Sequence, residues 1–81
     1  MKGTIIMINE KRGFIAVQTK CDISVIELLG GYIVELEDVV SGDLESEGSD
    51  EIMNITQDEE MDVFIQATGC SKACAYKMLL E

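Results

Sequence analysis

The sequence predicts a mainly β fold: a small barrel of five antiparallel strands followed by a C-terminal α-helical hairpin. Three observations carry this. Short runs rich in β-branched and apolar residues recur through residues 1–55, separated by glycine or charged turns. The hydrophobic period then changes, and a helix-start signature appears at Thr56. The chain has 81 residues, 47% of them hydrophobic, which allows one modest core and is far from compositional disorder.

The elements follow in order. Residues 2–9 (KGTIIMIN) and 13–19 (GFIAVQT) read as two strands joined through Glu10, Lys11 and Arg12, with Gly13 completing the turn. Residues 22–29 (DISVIELL) are the third strand, ended by Gly30 and Gly31, which permit backbone angles other residues avoid. Residues 33–37 (IVELE) alternate, and VVSGDLE follows at 39–45. Together they read as one fourth strand bent near Glu37 and Asp38, or as two short ones. Residues 45–50 (ESEGSD) read as a loop and 51–55 (EIMNI) as the fifth strand.

Thr56-Gln57-Asp58-Glu59 then fits a capping box, with Asp58, Glu59 and Glu60 in the first turn, where the helix dipole favours negative charge. Met61, Phe64, Ile65 and Thr68 follow helical spacing, which predicts a helix over 58–68 stopped at Gly69 by a left-handed cap. Ser71 caps a second helix over 72–80, with Ala75, Met78 and Leu79 on one face and Lys77 near its C-terminal end. The expected organisation is a barrel over 1–56 and a helical hairpin over 57–81 packed on it, as a single compact domain.

Net charge is −10 and unevenly spread. Residues 1–20 hold four basic side chains and one acid, whereas residues 21–71 hold fourteen acids and no base. Most of such a surface repels a polyanion. It serves solubility, or presents an acidic face to a basic partner. No apolar run approaches the roughly 20 residues that span a bilayer. The N-terminus lacks a small-residue cleavage site and lies inside a strand pattern, so it does not read as a signal peptide. Three cysteines, Cys21, Cys70 and Cys74, are too sparse for a disulfide scaffold. The expected setting is therefore the reducing cytoplasm, away from membranes.

Several motifs resemble the cold-shock domain, an OB-fold barrel. That family opens on a Gly-x-Val-Lys-Trp-Phe-Asn pattern, whose ends match Gly3 and Asn9 of Gly3-Thr4-Ile5-Ile6-Met7-Ile8-Asn9. Its following Lys-Gly-Phe-Gly-Phe-Ile is similar to Arg12-Gly13-Phe14-Ile15-Ala16-Val17 in its first half. Asp22-Ile23-Ser24-Val25-Ile26-Glu27 keeps the aspartate and alternate aliphatics of its third strand, and Met53-Asn54-Ile55 is similar to the end of its last. The resemblance covers residues 2–56 and implies an OB-like barrel that binds single strands on exposed aromatics over a basic face. At the matching positions stand Met7, Ile8, Ala16, Ser24 and Glu27, with Ile26 in place of a histidine; only Phe14 is retained. Base–aromatic stacking is worth about 1–3 kcal/mol per base, so most of the non-electrostatic affinity is lost. The register implied by the family turns Met7 and Ile26 outward and makes the former binding face aliphatic. Such a patch marks a partner or is covered internally, and the C-terminal helices are the candidate cover. The tail, MDVFIQATGCSKACAYKMLLE, resembles the first two helices of a UBA-like module through Thr68-Gly69-Cys70-Ser71, Ala75 and Leu79, a class that binds proteins.

Other chemistry finds little support. Cys70 and Cys74, four apart around the start of the expected second helix, make an incomplete zinc set and read as small buried residues. Asp43, Glu45, Glu47, Gly48, Glu51 and Asn54 fall on a calcium-loop template, but the flanks read as strands and its last position lacks the bidentate Glu. The chain has no histidine, so no Ser or Cys has an imidazole base in its own chain. No enzyme activity, cofactor or metal is expected. The leading expectation is an acidic OB-like module acting by protein–protein contact. Its candidate contact face comprises Met7, Phe14, Ile26, Glu35, Glu37, Asp43 and Glu45. The alternative is a weak single-stranded nucleic-acid binder using a rim of Lys2, Lys11, Arg12, Phe14 and Lys20. The sequence selects neither a named partner nor an oligomeric state.

Overall fold

The computed structural model describes residues 1–80. Six strands and one helix follow in order: β1 (Lys2–Asn9), β2 (Phe14–Gln18), β3 (Ile23–Leu28), β4 (Val39–Ser41), β5 (Gly48–Asn54), β6 (Glu59–Cys70) and α1 (Lys72–Leu80). The strands form a closed antiparallel barrel in the order β1-β2-β3-β6-β5-β4, consistent with an OB-like architecture. Two three-stranded meanders are joined by the β3–β6 pairing on one side and the β1–β4 pairing on the other.

The barrel interior is filled from every strand. Ile5, Ile15, Val17, Ile26, Val40, Ile52, Met61, Val63 and Ile65 form one core with Leu44, which enters from the β4–β5 connection. The β1–β2 turn works as expected: Gly13 takes φ +68, and its N–H donates to the Glu10 carbonyl at 3.3 Å. A bulge between Ile5 and Met7 adds one residue to β1. Ile5 and Ile8 therefore both join the interior cluster, while Met7 pairs with Ala16 and turns outward.

The main correction lies at residues 57–70. The expected first helix is instead β6, twelve residues long and paired with β5 from Asn54↔Glu59 to Gly48↔Ile65. Met61, Val63 and Ile65 are buried and Glu60, Asp62 and Phe64 exposed, so the operative period is two. The capping-box residues form the β5–β6 turn. The Asn54 side-chain oxygen accepts the Gln57 N–H at 3.1 Å, and Asp58 takes φ +56. The Thr56 hydroxyl accepts the Val39 N–H at 2.9 Å and ties the turn to β4. Gly69 is left-handed at φ +64, but inside a β6 bulge, where register shifts between Val25↔Ala67 and Ile23↔Cys70. The UBA-like helix pair is thus one strand and one helix.

Smaller differences follow. Residues 33–37 form no strand; they belong to the β3–β4 connection. The expected loop at 45–50 gives way to β5 from Gly48 onward. The second predicted helix is present as α1 over its expected span. The Ser71 hydroxyl accepts the Cys74 N–H at 3.2 Å as its N-cap.

Candidate functional site

α1 lies on the outer face of the barrel. Ala75 and Leu79 form a second core with Ala16, Ile23, Val25 and Cys70, flanked by Met7, Phe14, Ala67 and Met78. Ala16 and Val25 are directly paired across β2 and β3. With Ala67 on β6, their small side chains leave room for the helix. This is why β2 and β3 read as nearly unbroken apolar runs: one face lines the barrel and the other lies under α1. No helix is long and apolar enough to cross a membrane among the described residues.

The β1–β2 turn clamps the end of this helix. The Arg12 guanidinium donates to the Met78 carbonyl at 2.6 Å, and the Asn9 amide donates to the Leu79 carbonyl. These are carbonyls a helix terminus leaves without intrahelical partners, at the end where a positive charge is favoured. The same guanidinium lies 4.4 Å from the Phe14 ring centroid. One contact set therefore uses Arg12 and Phe14, two residues of the expected nucleic-acid rim.

The remaining basic rim does not assemble. β1 and β2 run antiparallel with Thr4↔Gln18 at one end and Asn9↔Phe14 at the other. Lys2 and Lys20 sit at the first end, Lys11 and Arg12 at the second. At about 3.3 Å per residue along β1, these groups are roughly 20 Å apart. The expected contact face is also dispersed. Ile26 is a correction: it is 0% exposed inside the barrel, because it pairs with Ile15 on the inward face of β3. Met7 is half-buried beside α1 and Phe14 half-buried under Arg12. Glu35 and Glu37 are exposed beside the middle of β1, where the Glu37 N–H donates to the Ile5 carbonyl at 2.8 Å. Asp43 and Glu45 are exposed in the β4–β5 connection, past the opposite end of β1.

What the structure brings together is a pair of grooves along the second half of β1. One, of about 500 Å³, lies between Ile6–Glu10, Leu36 and the α1 residues Tyr76, Leu79 and Leu80. The other, of about 390 Å³, lies at the barrel end between Ile8–Glu10, Phe14, Leu28 and residues 30–34. The loop forming its far wall is fastened to β6. The Tyr32 hydroxyl accepts the Asp62 N–H at 3.0 Å, and the Leu29 N–H donates to the Asp62 carbonyl at 3.0 Å.

Two electrostatic features arise only from the fold. Asp38 is 3% exposed, and its carboxylate accepts from the Glu35 N–H at 2.9 Å, Asn54 at 3.0 Å and Gln57 at 3.1 Å. Burial opposes its charge, but the bonds from Asn54, the Glu35 amide and Gln57 outweigh it and hold the carboxyl below its ordinary range. On the outer face of β5 and β6, Glu51 stands opposite Asp62, with Glu60 next along the strand. Repulsion from Glu60, then Asp62, raises the Glu51 carboxyl above its ordinary value. Neither feature has a local sequence signal, since the partners are at least eight positions apart apart from Glu35 and Asp38.

Only one of the two cysteines expected to be buried is so. Cys70 is buried at the end of β6, Cys74 is exposed in the first turn of α1, and Cys21 is exposed. Burial, then Cys74, pushes the Cys70 thiol up, which makes it a poorer nucleophile at neutral pH. Among the described residues no group of three or more Cys, Asp or Glu side chains is placed to hold a metal ion. Comparison with known proteins finds no matching family model, no matching curated protein and no matching solved structure.

Proposed function

We propose that this chain is a non-enzymatic binding module that works through protein–protein contact, on an OB-like barrel whose cold-shock-type nucleic-acid face is no longer used. The observation that carries this reading is the position of α1. It lies over the outward residues of β1, β2 and β3, and its C-terminal carbonyl is held by Arg12, which also lies over Phe14. A single strand would have to displace the helix and break those contacts, exposing Ala16, Val25 and Met7, and would gain one aromatic platform in return. The charge of −10 opposes the same ligand at every step of its approach.

Titration of the 15N-labelled protein with single-stranded DNA and RNA at low salt tests the reading. The expected result is no saturable amide shift. Saturable shifts at Arg12, Phe14 and the adjoining strands, lost as salt rises, would overturn it in favour of a cold-shock-type nucleic-acid binder.

A further inference from the structure

The strand that closes the barrel is too short for the strand it closes against. β4 has three residues and pairs with β1 only at Lys2↔Ser41, Gly3↔Val40 and Thr4↔Val39. The ladder extends one step further through Ile5, whose N–H donates to the Asp38 carbonyl and whose carbonyl accepts the Glu37 N–H. From Ile6 to Asn9, β1 has its β2 partner on one side and, among the described residues, no backbone partner on the other. The two grooves lie on either side of this stretch. Leu36, Tyr76 and Leu80 beside it are 60%, 56% and 61% exposed, although each is a large apolar side chain.

We propose that the free edge of β1, Ile6–Asn9, is a β-addition site for an extended segment of a basic partner protein, which adds a strand there and places alternate apolar side chains in the groove between β1 and α1, with basic side chains between them. This rests on the protein-binding reading above and names the partner's chemistry. The backbone edge selects an extended peptide, because main-chain bonds supply the register and the groove beside α1 receives side chains two apart. Charge selects its sign. Glu10 closes one end of the edge and Glu37 borders Leu36 on the opposite lip, while the Glu35 carboxylate accepts from the Gln57 amide at 3.1 Å. The neighbouring turn and helix supply Lys11, Arg12 and Lys77, of which Arg12 is engaged with Met78. At longer range the field is that of the whole chain, −10. The same field disfavours a second copy of this chain, which would bring an equal charge to the same edge.

The test uses three capped hexapeptides titrated into the 15N-labelled chain. One alternates valine and lysine, one alternates valine and glutamate, and the third is the valine–lysine peptide with its pairing amides N-methylated. The valine–lysine peptide is expected to give saturable shifts at Ile6–Asn9 and Leu36 and to slow amide exchange at alternate residues of that edge. The glutamate and N-methylated peptides should each bind at least tenfold more weakly. The Glu10→Lys/Glu37→Lys variant should reverse the preference between the two charged peptides. Absence of saturable shifts with the valine–lysine peptide at millimolar concentration would overturn the proposal, as would equal binding of both charged peptides. Protection of the edge in the free protein that grows with its own concentration would overturn it in favour of a second copy. If neither oligonucleotide nor peptide binds, the β1-edge assignment fails alone; if oligonucleotides saturate Arg12 and Phe14, the protein-binding reading fails with it.

Discussion

Asp38 is charged in the barrel wall because three donors converge on it, and two of them, Asn54 and Gln57, come from the β5 end and the β5–β6 turn. The residue therefore ties the β3–β4 connection to the second meander. Asp38→Ala leaves the buried Asn54 amide without its acceptor, which costs about 1–3 kcal/mol in urea unfolding at neutral pH. The sign of its pH dependence is set by its depressed folded value. Stability from Asp38 is fully present above the unfolded carboxyl value of about 3.9 and is lost as pH falls through the lower folded value. Urea midpoints should accordingly fall in acid for the natural chain, and Asp38→Asn should flatten that fall. Glu51 runs the other way. Its raised folded value means that its charged form opposes folding, so Glu51→Gln should raise the neutral-pH midpoint and lose that advantage as the pH is lowered below the carboxyl range.

Among the elements, β6 and α1 decide the architecture. β6 buries Met61, Val63 and Ile65 and exposes Asp62, so substitutions should alternate in severity along it. Val63→Asp places an unpaired charge in the core and should abolish the cooperative transition, whereas Asp62→Val should leave it in place; the helix expected from the sequence has no such alternation. α1 is held by few side chains, and Leu79 is 2% exposed at the contact with β1, β2 and β3. Leu79→Ala should cost about 2–4 kcal/mol by urea unfolding, from lost transfer energy and the cavity left behind. It should also speed amide exchange at Ala16 and Val25, which lie directly beneath the helix. Arg12→Ala removes the donor to Met78 and should loosen the last turn of α1 with a smaller loss of stability.

At the scale of the whole molecule, fourteen acids without a base in residues 21–71 leave the surface self-repelling. Salt shortens the range of that repulsion, to about 10 Å at 0.1 M, so the thermal midpoint should rise as sodium chloride is added from low salt to about 0.5 M. The same acids make the open edge of β1 safer. An unpaired edge beside apolar grooves is a template for aggregation, and a net charge of −10 keeps copies of the chain apart. The proposed affinity for a basic segment and resistance to self-pairing would then come from one property of the sequence.

How much was legible in the sequence differs by element. The first three strands, the Gly13 turn and the Ser71-capped helix were readable, because each is specified within a few residues by β-branched runs, a left-handed glycine or a cap. β6 carries a helix signal in the sequence because Met61, Phe64, Ile65 and Thr68 satisfy a helical period while Met61, Val63 and Ile65 satisfy a strand period, and the Thr56–Glu59 segment serves a hairpin turn as well as a helix start. Pairing with β5 and β3 separates the two, since these strands offer backbone partners that an isolated segment lacks. Ile26 was turned outward for a similar reason: a strand apolar on both faces carries no mark of which face is inside. The sequence by itself determined a mainly β chain ending in the Ser71-capped helix, with few aromatics and a strongly acidic balance, because these follow from local composition and short spacing. The tertiary structure alone decided that the helix closes the outer face of β1–β2–β3 and that β4 stops short of the second half of β1. Both depend on contacts between residues more than thirty positions apart, where sequence periodicity carries no information.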